Sequence, residues 1–279
     1  DGIHGRHFAS AFVNFKQLIG NNISFSGNVS YLDNDSKDQY VLPVVGLDAL
    51  VSENVEVYAN AGQSVRVPTL NDLYLSMRRD KGSEDLDVEK TTSSEIGMRM
   101  NSSDVNVAVS VFYKDTKDAI DFTLTDAELA AKLAGNEYAH VARNYGNNIT
   151  KGFDVEFDAS AFAALRMGMS TLKLSHTRLI QTIETELAVL KNTDGQLENQ
   201  TALHAGFDFS NHYSLLTTYK YESRFNSSDY EILDLRLAYE DDNLTIAVNG
   251  SNLLDAEYVD AGFVEVAGPA VILELGYQL

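Results

Sequence analysis

Apolar and polar residues alternate one by one along most of this chain, in segments that recur from one end to the other. Ile23, Phe25, Gly27, Val29 and Tyr31 are set against Ser24, Ser26, Asn28 and Ser30. Val55, Val57, Ala59 and Ala61 oppose Glu56, Tyr58 and Asn60, and Val105, Val107, Val109, Val111 and Tyr113 oppose Asn106, Ala108, Ser110 and Phe112. Phe153, Val155 and Phe157 oppose Asp154, Glu156 and Asp158; Leu233, Leu235 and Leu237 oppose Asp234, Arg236 and Ala238. Near the end, Val271, Leu273, Leu275 and Tyr277 alternate with Ile272, Glu274 and Gly276. Successive strand side chains point to opposite faces, so each segment carries one oily and one wet face. The pattern predicts about thirteen strands, near 7–17, 22–31, 40–50, 54–64, 91–101, 104–122, 148–160, 166–179, 199–209, 213–222, 230–240, 243–252 and 269–279.

The connections sharpen the fold class. Tight turns at 19–22, 51–54, 101–104, 210–212 and 240–243 alternate with longer polar stretches at 32–39, 65–90, 123–147, 180–198, 223–229 and 253–268. A meander with tight turns at one end and long loops at the other predicts an all-β, transmembrane, antiparallel up-and-down β-barrel. A soluble sandwich has Greek-key crossings and no reason to keep that rhythm. The tight turns are expected in the periplasm and the long loops outside, with the C-terminus at the periplasmic rim. Bacterial single-chain barrels have even strand numbers, so an odd count implies either that the count is off by one or that further strands precede residue 1, and the abrupt start favours the second. One loop reads as a helix, "TDAELAAKLAGN" at 125–136, with Thr125 as N-cap, Glu128 as capping-box partner and Gly135 as C-cap.

Composition agrees. The chain has 279 residues and a formal charge of −20, from 41 acidic and 21 basic residues. Phosphates would be repelled, so no nucleic-acid partner is expected. There is no cysteine, hence neither a disulfide framework nor a cysteine metal site. No run approaches the roughly 18 apolar residues of a helical span, which leaves membrane strands untouched because their apolarity hides in alternation. The opening "DGIHGRHFASAF" has neither the basic start nor the apolar core of a signal peptide, so a mature chain or a fragment is expected.

Within this frame the stretch "VYANAGQSVRVPTLNDLY" at 57–74 resembles the strand-and-loop motif of TonB-dependent outer-membrane receptors, with its Arg-x-Pro-(Ser/Thr) element and Asn-x-Leu-Tyr end. "DLDVEKTTSSEIGMRM" is similar to the family's segment ending Glu-x-Gly, with Glu95 and Gly97 in place and Val88-Glu89 where the family usually has Pro-Glu. "VSVFYKDTKDAIDF", "YGNNITKGFDVEFDAS" and "VNGSNLLDAEYVDAGF" resemble the following strands, in the family's order. The resemblance implies that residues 1–279 are the C-terminal part of a transmembrane barrel domain. The family's barrel has about 22 strands and a plugged lumen, so about nine strands, a plug and the contact to the TonB complex are expected on a preceding segment or a separate chain. It further implies contact with outer-membrane lipid and uptake of a scarce small-molecule nutrient such as a ferric siderophore or cobalamin.

The candidate residues follow. In family terms Arg66 belongs near the interface between wall and plug; alternatively it pairs with a lumen carboxylate such as Glu95. The loop residues Tyr74, Met77, Arg78 and Arg79 form a cationic and aromatic group that either suits an anionic ligand or simply balances the acidic residues of its own loop. Asp33, Asp35 and Asp38 can wrap calcium or simply form a solvated acidic loop; no other cofactor is expected. Residues 69–90 contain no histidine, which counts against haem. The alternatives are an autonomous small barrel acting as a porin, structural or adhesion protein, and an outer-membrane enzyme. The enzyme would need a constellation such as His176 or His204 with Ser175 and Asp208, positions that read as ordinary lumen residues, so no enzyme is expected.

Overall fold

A computed structural model describes residues 5–34, 39–159, 168–191, 195–260, 264–265 and 268–278. The chain opens with β1 (Phe8–Ile19), β2 (Ile23–Asn34), β3 (Gln39–Ser52) and β4 (Val55–Arg66), then α1 (Leu70–Tyr74) and β5 (Asp80–Lys81). β6 (Glu89–Asn101), β7 (Asn106–Lys117), β8 (Ile120–Leu124), α2 (Asp126–Leu133), β9 (His140–Asn144) and β10 (Asn147–Asp158) follow. Next come β11 (Met169–Glu184), β12 (Val189–Leu190), β13 (Leu197–Asp208), β14 (Tyr213–Arg224) and β15 (Tyr230–Glu240). The chain closes with β16 (Leu244–Ser251), β17 (Val259–Asp260), β18 (Val264–Glu265) and β19 (Ala270–Tyr277). The thirteen long strands join in chain order, β1-β2-β3-β4-β6-β7-β10-β11-β13-β14-β15-β16-β19, as the alternation predicts. Among the described residues no helix is long and apolar enough to cross a membrane.

The chain forms two compact units, Asp1–Gly97 with Val111–Gly152 and Ile180–Gln196, and Met98–Ser110 with Phe153–Leu179 and Leu197–Leu279. In the first, strand register aligns the oily rows: Gly27 faces Val45 and Phe25 faces Leu47, while Val45 faces Ala61 and Leu47 faces Ala59. In the second, Leu215 faces Leu237, Leu237 faces Val248 and Val248 faces Leu273. These rows are not core. Leu237 is 51% exposed and Leu273 63%, and a contiguous apolar face of this kind needs a non-aqueous neighbour. At the tight-turn end the rings of Tyr213 and Tyr239 meet at 5.0 Å, as aromatic residues do at a membrane–water boundary.

The opposite face is polar and paired. In the first unit the Tyr58 hydroxyl donates to Glu95 at 2.5 Å, and a Cβ at Gly97 would lie 2.5 Å from the Tyr58 ring. The Glu-x-Gly motif therefore has a physical reading: the acid receives the hydroxyl and the glycine leaves room for the ring. In the second unit Arg236 donates to Asn249 at 2.9 Å and Glu274 at 2.6 Å.

Three expectations change. The strand expected at 104–122 ends at Lys117, because Asp118 adopts φ 54° and turns the chain into β8, which joins a different sheet. Arg66 does not pair with Glu95; its carboxylates are Glu89 and Asp72. His176 is not a lumen residue. Its neighbour Thr177 bonds Asp154 on the polar face, whereas His176 packs on Phe153 at 5.5 Å and meets the Thr201 hydroxyl at 2.8 Å on the other. His204 does lie on the polar face, against Thr218 at 3.0 Å. Asp35 and Asp38 lie outside the described residues, and Asp33 is half-buried at the end of β2.

Candidate functional site

The loops after β4, β7 and β11 do not stay separate. In the first unit they build a four-stranded sheet of their own, ordered β12-β8-β9-β5. Here lies a true core: Leu124, Ala142 and Thr123 are fully buried, with Ala119, Ile120 and Tyr145 beside them.

Its foundation starts from the "RVPTLND" stretch. Thr69 caps α1, accepting from the Asp72 amide at 3.1 Å, while Asp72 accepts from the Thr69 amide at 2.8 Å, so a five-residue helix is closed reciprocally. The same Asp72 oxygen takes Arg66 at 3.0 Å. Arg66 also forks onto Glu89, Nε and Nη2 each at 2.7 Å, and Glu89 accepts the Ile120 amide at 2.7 Å. The side chains of Asp72 and Glu89 are mostly buried, so Arg66 fastens β4, α1, β6 and β8 at one point.

Above it, cross-loop contacts lock the sheet. β8 pairs antiparallel with β9 and β12, and β5 pairs parallel with β9. Asn144 donates to the carbonyls of Asp87 at 3.0 Å and Asp118 at 2.6 Å. Thr125 and Glu128 form the expected capping box of α2, whereas the C-cap is Ala134 rather than Gly135, which stands one residue later and takes the left-handed φ of 80°. Glu128 also holds Arg143 at 2.8 Å. Lys191 grips both oxygens of Asp80 at 2.8 Å, with His140 Nδ1 3.2 Å from the same carboxylate.

Burial pushes Asp80 up, but Lys191 and His140 outweigh it and hold the carboxyl below its usual range. Burial likewise opposes ionisation of Glu128, and the bonds from Arg143 and Thr125 win, holding it low. Both groups are more acidic folded than unfolded. Their contribution is therefore complete above the unfolded carboxylate range, about pH 4, and is lost as pH falls through the lowered native values. Amide exchange in β8 and β9, corrected for intrinsic rates, should stay slow from neutrality to about pH 4 and quicken below it. Asp80→Asn should quicken exchange already at neutral pH; an unchanged rate there would refute the latch.

The structure splits the predicted ligand group. Met77, Arg78 and Arg79 sit on a tight turn closed by Met77 N–H donating to the Asp80 carbonyl at 2.9 Å, and all three side chains are exposed. Arg78 reaches Glu137 of the neighbouring loop at 3.4 Å, both nearly free in solvent. Tyr74 is half-buried and lines a separate cavity of about 480 Å³ with Arg6, Pro68, Glu84, Asp85 and Asp87. Asp80, His140, Lys191 and Asn144 were missed by the sequence reading. Their partners stand 26 to 111 residues away, and no local pattern marks them.

The family model described as "TonB dependent receptor-like, beta-barrel" matches residues 5–253. Over 81 residues, 29% of this chain and 13% of the relative, the chain is 33% identical to the vitamin B12 transporter BtuB of Vibrio vulnificus (strain YJ016). Its fold is similar to the siderophore receptor PirA from Pseudomonas aeruginosa, with a TM-score of 0.69 at 15% identity over 98% of this chain and 46% of that one. It is also similar to the copper transporter OprC, with a TM-score of 0.73 at 13% identity over 98% and 48%. The chain thus spans less than half of each of these structures, whose low identity speaks for the fold alone. The matched model covers the paired oily rows of β1 to β16, the Glu95–Gly97 motif and the loop sheet alike, and the chain belongs to the TonB-dependent receptor-like β-barrel family of the bacterial outer membrane.

Proposed function

We propose that this chain supplies wall strands and ligand-binding loops of a TonB-dependent receptor that takes up a ferric siderophore or cobalamin. The carrying observation is the loop sheet: three long loops are folded together around a buried core and present Met77, Arg78 and Arg79 at an exposed turn. A porin or structural barrel has no need to order its loops at the entropic cost of fixing each residue. Arg78 and Arg79 supply charge for an anionic ligand, and Met77 supplies apolar contact. No covalent chemistry is called for; the work is capture, followed by energy-driven release through a plug and TonB.

The test uses the full-length receptor and equilibrium binding to a panel of ferric siderophores and cobalamin. One ligand should bind saturably, and Arg78→Ala with Arg79→Ala should weaken it about tenfold or more, the value of one or two charge-assisted hydrogen bonds. Open ion conductance with no saturable ligand would support the small-barrel alternative instead.

A further inference from the structure

The lipid-facing side carries a basic group that the uptake reading does not use. On β6, Thr91 shares a face with Glu95, and its hydroxyl lies 3.0 Å from that of Thr116 on β7. That contact is on the polar face, so the adjoining residues, Lys90 and Lys117, stand side by side on the opposite one. This is the face of Ile96 and Val111, both about half exposed. Lys151 of β10 joins them, its ammonium 5.8 Å from the Tyr113 ring centroid. β6, β7 and β10 are consecutive in the sheet.

Height along the strand matters. Outward residues of β7 read Val107, Val109, Val111, Tyr113, then Asp115 and Lys117. Hydrocarbon side chains give way to an aromatic ring and then to charge, the order expected where a strand leaves the bilayer core for the headgroups. The lysine stems can lie along the apolar surface with their ammonium groups at headgroup level.

None of the three lysines makes an ion pair among the described residues. Like charges directly opposite on neighbouring strands are destabilising, and this chain carries 41 acidic residues that could have relieved them. Among the described residues of β6, β7 and β10 the one outward carboxylate is Asp115, which has an oxygen shut from solvent with no hydrogen-bond donor. Three ammonium groups against one carboxylate leave room for an external anion at membrane level.

We propose that Lys90, Lys117 and Lys151 bind the phosphate of a phosphorylated glycolipid in the outer leaflet. The proposal rests on the receptor reading for its orientation, with the loop sheet outside the cell. The full-length receptor in neutral detergent would be titrated with bisphosphorylated lipid A and with its dephosphorylated form, binding being read by native mass spectrometry. The phosphorylated lipid should bind at least tenfold more tightly. Each Lys→Gln change should weaken it about fivefold, and Lys90→Gln, Lys117→Gln and Lys151→Gln together roughly a hundredfold. Equal affinity for the two lipids, or a triple variant that binds like the parent, would overturn the site. If the triple variant does not insert, the two-lipid comparison on the parent and the single variants decides. Orientation is tested apart from this: Met77→Cys should react with a membrane-impermeant maleimide on intact cells. Failure there sinks the receptor orientation, whereas a phosphate-blind lipid response sinks the lysine site alone.

Discussion

Glu222→Ala should be the most damaging single change in the wall, costing about 3–5 kcal/mol. Glu222 is fully buried on the polar face near the end of β14. It accepts from Lys220 at 2.5 Å, Tyr230 at 2.6 Å, Gln200 at 3.0 Å and also from Arg224. Removing the carboxylate leaves two cations facing each other and a buried Tyr230 hydroxyl without its acceptor. Lys220 and Arg224 each keep a third of their side chains in solvent, which places the expected cost at the lower end of that range. Glu222→Gln should fall between, since it keeps hydrogen bonds but not charge. Urea unfolding of the full-length receptor in micelles, followed by gel mobility, measures the difference. A Glu222→Ala midpoint indistinguishable from the parent would mean that the cluster does not hold β13, β14 and β15 together.

Glu89→Ala should act differently, loosening the loop sheet while leaving the wall standing. The substitution frees the Arg66 fork and strips the Ile120 amide of its acceptor just where β8 departs from the wall. Arg66 is 43% exposed, so the charge loss is partly screened, and about 2 kcal/mol of local stability is at stake rather than the full value of a buried pair. That is a large share for a small loop domain. Brief protease treatment of intact cells should cut within 118–146 roughly ten times faster, with ligand affinity falling in parallel and the urea midpoint of the wall little changed. Equal cleavage rates would show that the loops are held without this anchor. Arg66→Ala should give a similar phenotype and add strain at Asp72, which would keep its helix cap but lose its cation.

Local patterns in the sequence carry much of this fold. Strand ends lie within a few residues of expectation for β1 to β4 because alternation is a period-2 signal that one hairpin carries by itself. The α2 capping box was readable for the same reason: Thr125 and Glu128 are three residues apart. Arg66 was singled out through its motif, yet its partner was misjudged, because Glu95 and Glu89 both lie on the same strand face and only the depth of Arg66 beyond the wall chooses between them. His176 was misplaced because a polar residue in an otherwise oily row was read as facing the lumen. The strand register, set by Thr177 with Asp154, puts it outward.

By itself the sequence determined the meander, which faces of its strands are oily, and the rhythm of tight turns and long loops that assigns the chain to an outer-membrane barrel. All of these depend on residues one to four places apart. Only the tertiary structure decided that three loops share one sheet, that Lys191 closes on Asp80, and that Lys90 and Lys117 stand side by side on the outer face with no ion pair among the described residues. Those contacts join residues tens of places apart, where chain connectivity imposes no spacing and only packing selects the partner.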